Sequence, residues 1–101
     1  SSNGSEVYDV KNKKVLFNSF VDKDEVYNLI ELAYLNDLRL VLALEDYDYV
    51  TKILRNDNQK LLNRNSYKEE LENKNIKQCM FIDSKLDLLS KVKEEILKNK
   101  K

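Results

Sequence analysis

The sequence predicts an α/β (α+β) domain in which helices cover one face of a mixed or antiparallel β-sheet. Short β-prone runs alternate along the chain with longer segments whose apolar residues recur at helical spacing. Two of the runs, "LRLVLAL" and "IKQCMFID", are apolar almost throughout, which is typical of buried strands. A chain of 101 residues can bury one modest core, so we expect a single layered domain over residues 6–101.

The first two predicted strands form a β-hairpin between Glu6 and Phe20. The β-prone runs "EVYDV" and "KKVLFNSF" flank Lys11, Asn12 and Lys13. Asparagine tolerates the left-handed conformation that a tight turn requires, so these three residues are predicted to form the turn.

A capping box predicts where the first helix begins. Asp22 can accept hydrogen bonds from the first free amides of a helix, and Glu25 stands three residues later. Val21 and Val26 have the spacing of a hydrophobic staple, and Asn36 is predicted to end the helix in a left-handed conformation. The predicted buried face consists of Val26, Leu29, Ile30 and Ala33.

The remaining elements follow the central strand "LRLVLAL". The polar stretch from Tyr47 to Lys74 is predicted to hold two short helices, the second starting with a capping box at Ser66 and Glu69. After the strand "IKQCMFID" comes a last helix, which Ser84 is predicted to cap. Its predicted buried stripe is Leu86, Leu89, Val92 and Ile96. The resulting order is β-β-α-β-(α-α)-β-α.

Composition excludes several classes of function. Lys and Arg total 18, as do Asp and Glu, so the chain has no net charge with which to attract nucleic acid or an anionic membrane. Without histidine it cannot perform Ser-His or Cys-His catalysis, and its single glycine excludes a glycine-rich phosphate loop. The six tyrosines do not share one predicted face with interleaved lysines, which argues against a platform for single-stranded nucleic acid.

The same composition predicts a soluble, cytoplasmic protein without a membrane partner. No apolar stretch approaches the roughly 20 residues that span a bilayer. The single cysteine, Cys79, lies in the apolar run "CMFI" and is expected to be a buried free thiol.

Two groups of carboxylates follow predicted buried strands. Glu45, Asp46 and Asp48 come directly after the first of these strands, and Asp83 comes after the second. Adjacent carboxylates can bind Mg²⁺ or share a proton, but the same positions suit solvated turns in which aspartate caps a helix. The residues leave both interpretations open, and capping is favoured, most strongly for Asp83.

Several motifs of the chain occur in a defined order. They are Asn3 and Gly4 before the hairpin, Tyr8 and Asp9 in its first strand, Lys14 and Val15 in its second, Asp22, Glu25 and Val26 at the helix start, and Asp46 or Asp48 with Tyr49 and Val50 after the central strand. This series resembles the cap of a Cof-type phosphatase of the haloacid dehalogenase (HAD) superfamily. There the chain leaves the catalytic core through Asn-Gly-Ala, forms a hairpin "x-I-Y-D-x-x-G-K-x-I-Y", and continues with "D-x-E-x-V", a strand and "D-x-x-Y-V". The segment "IKQCMFIDSKLDLLSKVKEEI" is similar to the later strand and helix. Ser5 replaces the usual alanine and Asn12 the usual turn glycine.

The resemblance implies a C2-type cap that selects small phosphoesters, such as sugar phosphates, for a Mg²⁺-dependent phosphatase. In that family an aspartate of the core is phosphorylated and then hydrolysed, while the cap excludes water and contacts the leaving group. "DYDYVT" at residues 46–51 lacks the Gly-Thr that follows the family nucleophile, so no residue here is expected to be catalytic or to bind metal. The implied Mg²⁺ belongs to a core that this chain lacks. The chain also stops before the strands that return a family cap to its core, so we expect an excised or partial cap, or the product of a broken gene.

The same resemblance implies roles for particular residues. Asn3 and Gly4, within a linker at residues 1–5, are expected to form the hinge from the catalytic core, although residues 1–4 could instead be a remnant of cloning. Glu45, Asp46 and Tyr47 are expected to contact the substrate. The expected partners are the core and a small phosphorylated substrate.

A second interpretation needs no catalytic partner. The chain could be a small noncatalytic interaction module that binds protein through an open face or edge of its sheet. The cap interpretation predicts a homodimer formed through an exposed strand edge, because the strands that complete the sheet of a family cap are missing, whereas a monomer would favour the interaction module. The expected edge is the strand "IKQCMFID" or the hairpin from Glu6 to Phe20.

Overall fold

The computed structural model describes residues 14–17, 22–53 and 58–98. Along the chain, a strand, a long helix and a second strand come first. Three more strands and two helices follow. The elements are β1 (Lys14–Phe17), α1 (Lys23–Leu35), β2 (Leu40–Ala43), β3 (Asp48–Val50), β4 (Gln59–Leu61), α2 (Tyr67–Leu71), β5 (Gln78–Ile82) and α3 (Leu86–Lys98).

The strands form one five-stranded sheet in the order β1-β5-β2-β3-β4. All neighbouring pairs are antiparallel except β3 and β4, which run parallel, so the sheet is mixed. β2 lies at the centre, as its continuous apolar sequence predicts, because a central strand is covered by neighbours on both sides. The predicted fold class is confirmed.

The core lies between one face of the sheet and the three helices. Leu42 is in register with Cys79 of β5 and Tyr49 of β3, so these side chains share a face, and all three are buried. They join one apolar cluster with buried residues of α1, α2 and α3. Val41 and Val50 face each other on the opposite side of the sheet, and both are buried as well. The described helices therefore cover one face, as predicted.

Helix α1 begins at the predicted capping box and ends at Leu35, with Asn36 as the capping residue after it, as predicted. The Asp22 Oδ1 atom accepts a hydrogen bond from the Glu25 amide at 3.0 Å, and Glu25 Oε1 accepts one from the Asp22 amide at 3.2 Å. The prediction of a left-handed Asn36 is wrong, since its φ is −102° and its side chain donates to the Leu32 carbonyl. The left-handed residue is Asp37, with a φ of 54°.

Two short helices are predicted between Tyr47 and Lys74, and the prediction of the first one is wrong. Strands β3 and β4 occupy that stretch instead, because the aromatic and β-branched residues Tyr49 and Val50 pair with β2. The second helix is present as α2, but Ser66 makes no capping hydrogen bond with its side chain, so the second capping box is wrong. Helix α2 is only five residues long.

Three further predictions have mixed outcomes. Helix α3 begins at Leu86, two residues after the predicted cap Ser84, and the Lys85 amide before it donates to Asp83 at 3.1 Å. Leu89 and Val92 are buried as predicted, whereas Leu86 is 40% exposed. The strand "IKQCMFID" is not an edge, because β5 pairs with both β1 and β2.

Some predictions fall on parts of the chain that the structure does not describe. The first strand of the predicted hairpin, its turn, Val21 of the staple, and the linker with Asn3 and Gly4 lie outside the described residues. Among the residues that are described, no helix is long and apolar enough to cross a membrane.

Candidate functional site

The three predicted substrate contacts lie together at the tip of the β2–β3 hairpin. The Leu44 amide donates to the Tyr47 carbonyl at 3.0 Å, which leaves Glu45 and Asp46 as the two residues of the turn. Both turn residues are exposed, and Tyr47 is half-buried against the core. A tight turn between two paired strands therefore presents two carboxylates and a phenol at one end of the sheet.

An ion pair fixes the first carboxylate of the turn. Glu45 Oε1 lies 2.7 Å from the Lys77 ammonium, which precedes β5, and the Lys77 amide donates to the Ala43 carbonyl at 2.8 Å. The hydrogen bond and the positive charge of Lys77 lower the pKa of Glu45. Glu45 is therefore ionised and held against the neighbouring loop, and Asp46 beside it is free to face solvent.

The phenol of Tyr47 lies among hydrogen-bond donors and cations. Its ring packs edge-on against Tyr49, with the centroids 5.4 Å apart, and the Lys60 ammonium lies 4.5 Å from its centroid. A hydrogen bond from Tyr49, together with the charge and hydrogen bond of Lys74 and the charge of Lys60, lowers the pKa of the Tyr47 hydroxyl. Burial and the bond to Tyr47 raise the pKa of Tyr49. Tyr49, Lys60 and Lys74 therefore all act on the Tyr47 phenol.

The acidic residues near the tip do not form a metal site. Asp46 lies in the turn and Asp48 is the first residue of β3, where it is in register with Ala43 and Gln59. In the described ranges, no group of three or more His, Cys, Asp or Glu side chains could hold a metal ion. The described residues therefore do not fit a Mg²⁺ site, and no chemical step through the metal is derived for them.

The opposite end of the sheet is braced by ion pairs. The Asp37 carboxylate lies 3.1 Å from the ammonium groups of both Lys52 and Lys85, and Lys85 also donates to the Asp37 carbonyl at 2.9 Å. These cations lower the pKa of Asp37. A left-handed conformation is unfavourable for a residue with a Cβ atom, and the contacts to both lysines hold Asp37 in it.

Asp83, the second predicted carboxylate, also has a structural role at that end. Its Oδ2 atom accepts a hydrogen bond from the Arg39 amide at 3.0 Å, and its Oδ1 atom accepts the Lys85 amide at 3.1 Å. The side chain of Thr51 also binds backbone groups at this end, because its hydroxyl donates to the Leu38 carbonyl and accepts from the Leu40 amide. The interpretation of Asp83 as a capping residue is supported, since its carboxylate binds backbone amides.

Two surface cavities lie beside α1. They have volumes of about 310 and 410 Å³ and share Glu31 and Arg64 in their linings. The Tyr67 hydroxyl donates a hydrogen bond to Glu31, and burial together with this bond raises the pKa of Tyr67. The Arg64 guanidinium lies 5.1 Å from the Tyr34 ring centroid. Glu31 and Arg64, the two charged residues that both cavities share, are thus engaged with tyrosines of the chain itself.

Sequence reasoning found the turn and missed its cationic partners. Lys60 reaches Tyr47 because β4 runs beside β3 and places Lys60 in register with Tyr49, but no strand was predicted there. Lys74 and Lys77 come from the loop between α2 and β5. The sequence does indicate strand β3 through the aromatic and β-branched run "YDYVT", which is typical of a strand.

The comparisons with known proteins give one match. A family model described as haloacid dehalogenase-like hydrolase matches residues 1–101. No curated protein and no solved structure matches the chain.

Proposed function

This chain belongs to the haloacid dehalogenase-like hydrolase family, and we propose that within the family it is the cap segment that selects substrates for a cytoplasmic phosphatase of the Cof type. The substrates are small phosphoesters such as sugar phosphates. The acidic residues that hold Mg²⁺, and the aspartate that attacks the phosphorus atom, belong to a separate catalytic core. Asn3 and Gly4 form the hinge between that core and the cap.

The cluster at the hairpin tip is the observation that carries this proposal. A tight turn offers two exposed carboxylates beside a phenol that hydrogen-bonds to Tyr49. Carboxylates accept hydrogen bonds from sugar hydroxyl groups, and phenol and ammonium groups donate to anionic oxygens. Glu45, Asp46 and Tyr47 can therefore distinguish leaving groups without taking part in phosphoryl transfer.

The sequence supports a noncatalytic role. The chain contains no histidine, and "DYDYVT" lacks the Gly-Thr that follows the nucleophile in the family. In the structure Asp46 lies in the turn between the antiparallel strands β2 and β3, and Asp48 is the first residue of β3. The cap would act by contacting the leaving group and by excluding water from the reaction, which increases the strength of electrostatic interactions in the site.

Substitution of the tip in the complete hydrolase tests this proposal. Asp46→Asn with Tyr47→Phe should lower kcat/KM for the preferred sugar phosphate at least about tenfold, which corresponds to about 1.4 kcal/mol of transition-state stabilisation. Turnover of p-nitrophenyl phosphate, whose leaving group has no hydroxyl groups for the tip to bind, should stay within about twofold.

Glu94→Gln is the matched control, because Glu94 is exposed on α3. Equal loss of activity toward both substrates would contradict the proposal, since it would place the tip in the general machinery. An unchanged preference would favour the noncatalytic interaction module.

A further inference from the structure

We infer that Lys77 is a positioning residue of the hairpin tip, which holds Glu45 in the orientation in which this carboxylate binds the leaving group of the substrate. The step from the position of Glu45 to substrate choice rests on the proposed function. The position itself rests on two contacts of Lys77 with the hairpin, one made by its backbone and one by its side chain.

The two contacts tie Lys77 to both sides of the end of β2. The Lys77 amide donates to the carbonyl of Ala43, the last residue of β2, at 2.8 Å. The Lys77 ammonium lies 2.7 Å from the Oε1 atom of Glu45, two residues further along the chain. Because Ala43 is also in register with Gln78, the backbone contact continues the pairing of β2 with β5 by one residue. The tip carboxylate is therefore held from a backbone that is paired with the sheet.

The segment that carries Lys77 is anchored before any ligand binds. The preceding residue, Ile76, packs against the apolar core. Further back, the Lys23 ammonium donates to three carbonyl groups between Leu71 and Lys74, at 2.7, 3.3 and 3.0 Å. A carboxylate that is already held in place loses less side-chain entropy on binding a ligand than a freely rotating glutamate does.

The ion pair leaves Glu45 able to bind a substrate. The side chain of Glu45 is 75% exposed and that of Lys77 is 50% exposed, so a ligand can reach the pair from solvent. An ionised carboxylate offers about four lone-pair sites, and one ammonium group takes up only part of this capacity. Glu45 can therefore accept hydrogen bonds from sugar hydroxyl groups while its ion pair with Lys77 is intact.

Substitution of Lys77 in the complete hydrolase tests the inference. Lys77→Met should raise KM for the preferred sugar phosphate about fivefold and leave kcat within about twofold, because a contact remote from the phosphorus atom is made equally in the ground state and the transition state. KM for p-nitrophenyl phosphate, whose leaving group has no hydroxyl groups for Glu45 to bind, should stay within about twofold. Lys77→Arg keeps the positive charge and should restore KM for the sugar phosphate to within about twofold.

Lys52→Met is the matched control. Lys52 also makes a partly exposed ion pair, with Asp37 at 3.1 Å, but this pair lies at the opposite end of the sheet. Exposed ion pairs contribute little to stability, so neither methionine variant should unfold the protein. Lys52→Met should leave KM for both substrates unchanged, which separates the positioning of Glu45 from a general loss of surface charge.

A double substitution tests whether Lys77 acts through Glu45. In a Glu45→Gln background, Lys77→Met should change KM by less than about twofold, because the carboxylate that it positions is already gone. A full fivefold effect in that background would give Lys77 a separate role and overturn the inference. An equal rise in KM for the sugar phosphate and for p-nitrophenyl phosphate would overturn it as well.

The same measurements separate this inference from the proposed function. If Lys77→Met leaves KM unchanged while Asp46→Asn with Tyr47→Phe alters the substrate preference, the positioning role of Lys77 is overturned and the cap role stands. If none of these variants alters the preference, both are overturned.

Discussion

Replacing Lys23 with methionine tests how α1 anchors the loop between α2 and β5. The Lys23 ammonium donates to three carbonyls at and after the end of α2, where the helix leaves its last carbonyl groups without partners. Hydrogen bonds to charged groups contribute about 1.5 to 3 kcal/mol, and the lower end applies here because two of the three bonds are exposed. Lys23→Met keeps the length of the apolar stem, so we expect the free energy of unfolding to fall by about 1.5 kcal/mol.

Urea denaturation and amide hydrogen exchange measure this effect. The exchange rates of residues 72–76 should rise more than those of β2, because the loss is local. Lys91→Met is the matched control, since it removes an exposed lysine from α3 and should change the free energy of unfolding by less than about 0.5 kcal/mol. Equal denaturation midpoints for Lys23→Met and the unsubstituted chain would refute the reasoning.

Three further outcomes follow from the structure. Asp22→Ala should lower the free energy of unfolding by about 1 kcal/mol in urea denaturation, because it removes the capping bond, whereas Asp24→Ala should lower it by only a few tenths; equal losses would contradict the capping role. Lys85 and Lys52 lower the pKa of Asp37 in the folded chain. The contribution of ionised Asp37 to folding stability is therefore present above the pKa of the unfolded chain and is lost as the pH falls through the folded pKa. In Asp37→Asn the denaturation midpoint should therefore fall less below about pH 4 than in the unsubstituted chain. The same fall in both chains would contradict a stabilising role of the ion pairs of Asp37. Burial raises the pKa of Cys79 to about 12, so a disulfide reagent at pH 8 should modify it only in denaturant; rapid reaction of the native chain would contradict its burial.

Local signals in the sequence identified the strongest elements. The capping box at Asp22 and the apolar spacing from Val26 to Ala33 predicted α1, because both depend on residues within a few positions of each other. The continuous apolar runs likewise predicted β2 and β5. Their pairing partners depend on the whole sheet, so the apolar runs alone do not show that β5 lies between β1 and β2 instead of at an edge.

Long-range pairing explains what the sequence did not predict. The apolar positions of the stretch after Tyr47 are compatible with a helix, and only pairing with β2 makes Tyr49 and Val50 a strand. The same pairing brings Lys60 to Tyr47 across parallel strands, so half of the candidate site could not be seen in a local window. The turn residues themselves were found because they directly follow a buried strand.

Phosphate release by the purified chain tests the central claim that it selects substrates without catalysing the reaction. The chain is incubated with p-nitrophenyl phosphate and with sugar phosphates in the presence of Mg²⁺, and inorganic phosphate is measured. We expect a folded protein with no release above the rate without protein, because the described residues contain no group of three or more His, Cys, Asp or Glu side chains that could hold a metal ion, and the sequence has no complete nucleophile motif. Turnover that is proportional to chain concentration, and that disappears in a folded Asp46→Asn variant, would contradict the account and make "DYD" a catalytic motif.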